Sequence, residues 1–357
     1  MLILKLKPED HITLLTLSPL RRQLQQKKFI ELFSEQVDWD RLDYLITRNR
    51  LLALFLFHTE RFGLKEKVPR DFIQKCVSKL KLNRLMHKSL MQDALRFNDL
   101  MKGVPQIVFK GARMAATIYP DSGLREMDDI DVLVPHEKRA LAADCMNEMG
   151  YLPSIVKKEK GLVPLSPDFV EKADIGHYEL VHRHRAVRLE EGSDKYGIIG
   201  MDVHSDVLHG GLKDLLWKNT LDFNYEGKPM LGLANTLEFL IIAHRLYLMT
   251  MRLKRPYRLN FFADLWWMAD NEDNNLDWSL LVKLAHERLL YPELFYCLYH
   301  LRHLGACKIP DEVLVELSPF DKYQYEDDLA TKRFIDYGDF LPKALNVPRM
   351  VEVESFI

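Results

Sequence analysis

Two aspartates separated by one residue, Asp129 and Asp131, are the side chains of this sequence best placed to do chemistry. They alternate with apolar residues over 128–134, which is the pattern of a β-strand. Side chains two positions apart on a strand project from the same face, so both carboxylates point the same way. Carboxylates bind Mg²⁺ in sites that also bind phosphate, and such sites carry out phosphoryl or nucleotidyl transfer. The pair therefore predicts a site for Mg²⁺, with Mn²⁺ as the alternative ion; the other interpretation is an exposed strand edge.

A lysine and a glycine precede the aspartates, where a short apolar strand over 107–109 gives way to a predicted helix over 112–119. Backbone N–H groups at the start of a helix can bind an anion. Arg125 lies in the turn before the aspartates. Its guanidinium could clamp a triphosphate, or it could form an ion pair that stabilises the turn. The predicted nucleotide-binding residues are Lys110, Gly111, Ala112, Arg113 and Arg125.

A third carboxylate is expected from a later strand. Asp202 lies in a strand-like segment over 196–203, and Glu179 is the alternative. Such an acid would complete the metal site and could accept the proton of an attacking hydroxyl. His204 falls on the same strand face as Asp202 and could orient the substrate or the carboxylate. The predicted catalytic residues and metal ligands are therefore the same three: Asp129, Asp131 and Asp202.

The segment over 109–134 resembles the signature of the uncharacterised nucleotidyltransferase family, within the polymerase-beta-like nucleotidyltransferase superfamily. The resemblance extends over roughly 39–304. It implies transfer of a nucleoside monophosphate from a nucleoside triphosphate such as ATP to a hydroxyl-type acceptor. A non-catalytic nucleotide-binding or regulatory member of the fold is the alternative. The matching residues are Phe109-Lys110-Gly111, Tyr119-Pro120, Arg125, Asp129-Ile130-Asp131-Val132 and Asp202-Val203-His204.

One position departs from the wider superfamily pattern. That pattern has Gly-Gly or Gly-Ser where the strand meets the helix, and this chain has Gly111-Ala112. The missing serine hydroxyl removes one possible donor to phosphate, which leaves the backbone N–H groups for that contact.

Histidines are concentrated between 177 and 209, and they suggest a different chemistry. His182 and His184 share a strand face and could bind Zn²⁺. The sequence therefore also allows a histidine-based metal hydrolase, although a basic strand face with neighbouring arginines explains the same pattern. The five histidines are His177, His182, His184, His204 and His209.

Composition limits the classes of partner and the cellular compartment that we expect. A net charge of −2 gives no general attraction to nucleic acid or to an anionic membrane. A small molecule or a protein is therefore the expected acceptor; a structured RNA requires Arg183, Arg185, Arg188 and Arg252 to share a face. The most apolar run, 237–249, is too short and too charged to span a bilayer. Four cysteines without CxxC pairing, and an N-terminus unlike a signal peptide, favour the cytoplasm.

The elements around these residues change character along the chain. Helical patterns dominate before Gly103, strands outnumber helices in the middle, and helices return after Leu233. A polar segment over 157–174 is interpreted as a loop or short excursion. The prediction is an α+β protein with a small nucleotidyltransferase-like mixed sheet, flanked by N-terminal helices and a C-terminal helical bundle. A cleft between the sheet core and the bundle would hold the triphosphate. The predicted regions are 1–103 (helical), 104–232 (αβ core), 233–318 (helical bundle) and 319–357 (extended tail).

Overall fold

The computed structural model describes residues 6–157, 159–176, 180–188, 196–208, 211–248, 259–271, 276–306 and 309–318. The chain divides into two compact units. One, here called the helical unit, consists of residues 1–79 and 239–357; the other, the sheet unit, consists of residues 80–238. Among the helices of the described residues, none is both long enough and apolar enough to cross a membrane.

The helical unit combines helices from both ends of the chain. Two helices that begin the chain and two that follow the sheet unit are joined by buried hydrogen bonds: Gln25 Nε2 donates to the carbonyl of Gly305 at 3.2 Å, and Trp267 Nε1 donates to the carbonyl of Leu17 at 3.1 Å. Its helices are α1 (Pro8–Thr16), α2 (Gln23–Leu32), α3 (Trp39–Arg48), α4 (Leu52–Arg61), α11 (Asn260–Asp270), α12 (Trp278–Glu287), α13 (Tyr291–His303) and α14 (Asp311–Leu317), with parts of α5 (Arg70–Leu100) and α10 (Asn235–Tyr247).

Aspartate caps begin two of these helices. The Asp38 carboxylate accepts a hydrogen bond from the backbone N–H of Arg41 before α3, and Asp277 accepts one from Leu280 before α12. Each cap satisfies a backbone donor that has no partner inside the helix. These helix starts are therefore encoded locally in the sequence.

The sheet unit contains one mixed sheet of eight strands in the order β4-β3-β5-β6-β2-β1-β8-β7. The pairs β2–β6 and β1–β8 are parallel, and the other neighbouring pairs are antiparallel. The strands are β1 (Ile107–Phe109), β2 (Asp129–Leu133), β3 (Leu152–Lys157), β4 (Gly161–Pro164), β5 (Arg183–Arg188), β6 (Tyr196–His204), β7 (Thr220–Tyr225) and β8 (Lys228–Leu233).

One face of this sheet packs against helices to form the core of the unit. Ile130 and Val132 of β2 are fully buried there together with Leu90 and Phe97 of α5. Because strand side chains alternate, Asp129 and Asp131 must project from the opposite face. The other helices of the unit are α6 (Gly111–Thr117), α7 (Arg139–Glu148), α8 (Pro167–Gly176) and α9 (Lys213–Lys218).

The predicted α+β fold class is confirmed, with a mixed sheet between N-terminal and C-terminal helices. The interpretation of 157–174 as a loop is wrong, because this segment contains β4 and most of α8. β4 extends the sheet by pairing with β3, which a polar sequence without clear alternation does not reveal. The predicted tail over 319–357 lies outside the described residues.

Candidate active site

The candidate site begins with the pairing of β2 and β6. In this parallel pair Asp131 lies opposite Asp202, and Asp129 lies opposite Gly200. Residues opposite each other on neighbouring strands point to the same face, and the strands lie about 4.8 Å apart. The structure therefore brings the third predicted carboxylate beside the aspartate pair, although Asp202 is 71 positions further along the chain than Asp131.

Asp131 has positively charged or proton-donating groups on one oxygen. Lys110 Nζ donates to Asp131 Oδ1 at 2.5 Å, and His204 Nε2 donates to the same oxygen at 2.9 Å. Burial alone would raise the pKa of Asp131, but the Lys110 ammonium and the His204 imidazole hold it below its usual range. Asp131 is therefore a carboxylate throughout the neutral pH range.

The pKa of Asp129 is shifted in the opposite direction. The Asp129 side chain is partly exposed to solvent and partly surrounded by protein atoms. This partial burial, together with the charges of Asp131 and Asp202, raises its pKa to about 7. The two neighbouring carboxylates contribute to this shift, and the exposure of the side chain limits its desolvation. The face of the sheet that carries these aspartates, here called the aspartate face, thus concentrates negative charge that Lys110 only partly offsets.

Lys110 and Gly111 form the turn between β1 and α6. Lys110 has a backbone φ of 56° and ψ of −137°, a conformation that residues with a side chain rarely adopt. A Cβ on Gly111 would lie 3.6 Å from the guanidinium carbon of Arg125. The turn therefore places the Lys110 ammonium beside Asp131, and the Arg125 guanidinium lies next to Gly111.

Arg125 is buried beneath this turn, and its Nη1 donates to the backbone carbonyl of Glu126. The turn before it is held by Asn83 of α5, whose Nδ2 donates to the carbonyl of Gly123 at 2.8 Å. A Cβ at Gly123 would come within 2.6 Å of the Arg84 side chain, so only glycine fits there. The helix α5 thus fixes the position of Arg125.

Ala112 and Arg113 point into the protein. Ala112 is buried against α5, and its carbonyl lies 3.2 Å from His87 Nε2. Arg113 is 1% exposed; its guanidinium forms an ion pair with Glu238 and donates to Asn235 Oδ1 at 2.9 Å. Only the backbone N–H groups of these residues are oriented for a role at the start of α6, which is seven residues long.

Asp202 has a partner that the sequence did not suggest. His182 Nδ1 donates to Asp202 Oδ1 at 2.7 Å, and the His182 side chain is 56% exposed. His204, the predicted substrate residue, is instead buried between Asp131 and Phe109, with its ring edge-on to that of Phe109 at 5.2 Å. His182 could be identified only by knowing that β5 is the neighbour of β6.

A second row crosses the same face. It contains Asp129 on β2, Gly200 on β6 and His184 on β5. A Cβ on Gly200 would lie 3.4 Å from both Asp129 Cβ and His184 Cδ2. His184 Nδ1 lies 3.2 Å from Ser154 Oγ, and burial lowers the pKa of the ring. Sequence reasoning considered His184 only as a zinc ligand and did not single out Gly200.

The histidine pair does not form a metal centre by itself. The rings of His182 and His184 are 6.4 Å apart, and each is bonded to a different partner. Within the part of the chain that the structure describes, no group of three or more His, Cys, Asp or Glu is arranged to hold a metal ion. His177, His209 and Glu179 lie outside the described residues.

The described arginines considered for RNA binding do not all lie on one face. Arg183 is buried and bonds to the carbonyl of Val181, and Arg185 pairs with Asp93 at 2.6 Å. Arg188 is exposed and lies on the other face of β5, as strand alternation requires. Arg252 is not among the described residues. The described strand thus offers no continuous basic surface.

Comparison with known families gives one match. A family model described as "Uncharacterised nucleotidyltransferase" matches residues 35–306. This range covers well over half of the chain, and it includes the whole face described above. No curated protein and no solved structure matches the chain.

Proposed function

This chain belongs to the uncharacterised nucleotidyltransferase family, and from that premise we propose that it transfers a nucleoside monophosphate from a nucleoside triphosphate to an acceptor hydroxyl. The observation that carries the proposal is the register of β2 and β6, which sets Asp202 beside Asp129 and Asp131 on the sheet face opposite the core. Clustered carboxylates next to a lysine are suited to phosphate chemistry with a divalent ion.

The two aspartates of β2 fit Mg²⁺ if the substrate and water supply the other ligands, since among the described residues no three acidic, histidine or cysteine side chains are arranged to hold a metal ion. Asp129 and Asp131 supply hard oxygen ligands from one strand, and Mg²⁺ commonly takes one or two carboxylates plus substrate phosphate oxygens and water. Burial and repulsion by the neighbouring carboxylates raise the pKa of Asp129, and a divalent cation would relieve the repulsion. When bound, the ion would neutralise these charges and those of the triphosphate.

Lys110 and Arg125 are the proposed phosphate contacts. The Lys110 ammonium is already beside Asp131, and Arg125 is held directly below the Lys110-Gly111 turn. A guanidinium and an ammonium there would bind phosphate oxygens through charge-assisted hydrogen bonds. We leave the Arg113 guanidinium out of this set, because it is buried in its pair with Glu238.

The reaction would proceed by direct displacement. The acceptor oxygen attacks the α-phosphorus, and a new P–O bond forms as the bond to the bridging oxygen of the β-phosphate breaks. Pyrophosphate leaves with the electron pair of that bond. The acceptor's proton passes to Asp202, which His182 holds in position through its hydrogen bond to Oδ1.

A non-catalytic nucleotide-binding role is the second candidate, and one observation favours it. Asp131 and Asp202 already have close partners, Lys110 at 2.5 Å and His182 at 2.7 Å. A regulatory module could keep these pairs and bind nucleotide without turnover. Binding of Mg²⁺–nucleotide without label transfer would support this candidate.

The test uses nucleoside triphosphates labelled at the α-phosphate, Mg²⁺ and a cell extract as the source of acceptors. Wild-type protein should label a discrete species and release pyrophosphate. Asp129→Asn and Asp131→Asn should lower labelling on the order of 10²–10³-fold. Asp128→Asn is the matched control, since Asp128 is an exposed neighbouring acid outside the proposed ligand set. Equal labelling by Asp131→Asn and Asp128→Asn would refute the proposal.

A further inference from the structure

A cavity of about 140 Å³ in the sheet unit is lined by the end of α5 and by residues of β1, β7 and β8. Gln106 lines it, and within the described part of the chain its buried Nε2 has no hydrogen-bond partner. We propose that this cavity binds an uncharged six-membered ring with adjacent N–H and C=O groups, as in a pyridone or a pyrimidinone. The site goes beyond the proposed transferase function and does not depend on it.

The walls of the cavity are mostly apolar, and they extend from the surface into the core of the sheet unit. Val108 is 2% exposed and belongs to that core, and Met230 packs against the same core. Pro105 and Pro229 are exposed lining residues, so they lie where the cavity meets solvent. Apolar walls with a few polar groups are typical of sites for small molecules.

The Val108 wall lies on the side of the sheet away from the aspartates. Val108 pairs with Val132, and both are buried in the core. The next residue, Phe109, pairs with Asp131. Because side chains alternate along a strand, Val108 and Asp131 project from opposite faces. A ligand against Val108 is therefore separated from the aspartate face by the sheet itself.

Gln106 provides the polar group that selects the ligand. The residue is only 7% exposed, and buried polar groups of native proteins nearly always have a hydrogen-bond partner. The last torsion of a glutamine side chain is broad, so the amide can turn its edge toward the cavity. That edge presents one N–H donor and one carbonyl acceptor. A ring with C=O beside N–H would pair with both.

The charges around the cavity disfavour an ionic ligand. The described residues that line it include no lysine, arginine or histidine, so a phosphate or carboxylate would lose its hydration without gaining a positive partner. Asp222 is among the lining residues, but Phe223 points into the core, and strand alternation directs the Asp222 carboxylate to the other face. An uncharged ligand is therefore favoured.

The volume limits the ligand to one ring. An apolar cavity of about 150 Å³ in another protein holds benzene, and this one measures about 140 Å³. A nucleoside triphosphate is much larger than this space. Asn98 of α5, an exposed lining residue, adds a second amide that can pair with a further polar group on the ring.

A titration of the wild-type chain with 2-pyridone tests the site. In protein labelled with ¹³C-methyl methionine, the Met230 signal should shift saturably, because the ring would lie against this side chain. The Met230→Leu spectrum assigns that signal by its loss. Met268, in α11 of the helical unit, is the internal control and should not shift. A Met230 signal that does not respond to 2-pyridone would overturn the proposal.

Matched ligands test the chemistry in the same wild-type protein. Pyridine keeps the ring but has neither N–H nor C=O, so it should bind roughly tenfold more weakly than 2-pyridone, about the loss of one hydrogen bond. Benzoate, an anion of similar size, should leave Met230 unshifted. Equal binding of pyridine and 2-pyridone, or tighter binding of benzoate, would overturn the proposed class of ligand.

A variant tests the amide. Gln106→Met removes the amide and keeps the length of the side chain, so 2-pyridone should bind roughly tenfold more weakly. Benzene, which needs only the apolar walls, should still shift Met230. Gln92→Met is the matched control, since Gln92 is an exposed glutamine of α5 outside the lining.

The outcomes for this variant are distinct. Unchanged 2-pyridone binding in Gln106→Met would overturn the pairing with the amide, and with it the proposed ligand. If Gln106→Met no longer binds benzene, its cavity has collapsed, and the comparison of pyridine with 2-pyridone in the wild type decides. Failure of the transferase assay would leave this site unaffected, because its test measures binding alone.

Discussion

Ionisable groups have opposite surroundings in the helical unit and on the aspartate face of the sheet. In the helical unit, His244 and Glu293 form a buried pair at 2.6 Å, and Arg41 pairs with Asp10. His58 is fully buried, and burial lowers its pKa to about 3, so it is neutral at pH 7. These buried groups of the helical unit are thus either paired or neutral.

On the aspartate face, by contrast, several carboxylates lie close together. Asp129, Asp131 and Asp202 lie on adjacent strands with Lys110, and their repulsion helps to raise the pKa of Asp129 to about 7. Folding gains nothing from like charges placed together. The difference supports the proposal that this face binds a ligand that carries positive charge, whereas the paired groups of the helical unit stabilise the fold.

The largest expected effect concerns a buried ion pair of the sheet unit, and it tests whether a buried charge there also needs its partner. Arg113→Met leaves Glu238 buried and without its ion-pair partner, which should cost about 3–5 kcal/mol of unfolding free energy. The double variant Arg113→Met/Glu238→Gln should recover a large part of this loss. Urea unfolding of the three proteins measures it. If the double variant is as unstable as the single one, packing and not charge explains the loss.

Removal of one carboxylate from the aspartate face should lower the activity strongly and the stability little. Asp131→Asn should lower the transfer rate on the order of 10²–10³-fold, the size of loss typical for one preorganised electrostatic contact. The fold should remain, because its strand pairing does not depend on that charge. Steady-state transfer rates and a melting curve test this prediction. An Asp131→Asn protein that is unfolded would contradict it.

His58 makes the stability of the protein fall in acid. The unfolded histidine takes up a proton near pH 6.5 and the folded one only near pH 3, so stability decreases as the pH falls through this window. At pH 5 the loss should reach about 2 kcal/mol. In His58→Leu this component should be missing, as urea unfolding at pH 7.5 and pH 5 would show. Parallel pH dependence in both proteins would mean that His58 is protonated when folded.

Asp129 should destabilise the protein as the pH rises. Its folded pKa, about 7, is above the ordinary value of 3.8, so the folded state loses stability between pH 4 and pH 8 as the carboxylate ionises. Asp129→Asn should therefore be more stable at pH 8 by about 1–2 kcal/mol, after allowance for solvent screening of this exposed side chain. At pH 4 the two proteins should be equally stable.

Addition of Mg²⁺ sharpens this last prediction. A ligand that binds only the folded state raises its stability. Mg²⁺ should raise the melting temperature of the wild type and leave that of Asp129→Asn nearly unchanged, with Asp128→Asn as the responsive control. A Mg²⁺ shift of the same size in Asp129→Asn would place the ion elsewhere.

Local rules predicted much of the central region. The alternation of Asp129 and Asp131 with Ile130 and Val132 sets which side of β2 is buried, and the structure buries the apolar residues. The strand, turn and helix around Lys110 also follow from the sequence, with α6 ending two residues earlier than predicted. These features depend on neighbours in the chain, which a sequence displays directly.

Other features of the site depend on pairings that no local pattern shows. The partners of Asp202 and Gly200 on β5 come from antiparallel pairing with β6, and β6 in turn lies beside β2 across a long stretch of chain. The direction of the Arg113 side chain was equally hidden, because a helix of two turns has no clear apolar stripe and Glu238 is far away in sequence.

The sequence by itself determined the chemistry that the two aspartates offer, the lysine and glycine before them, and the family to which the chain belongs. Only the tertiary structure decided that Asp202 joins the aspartates, that His182 bonds to Asp202, and that Gly200 lies between Asp129 and His184. The physical reason is strand order. Alternation along one strand is written in its residues, whereas the neighbour across the sheet is selected by the packing of the whole unit.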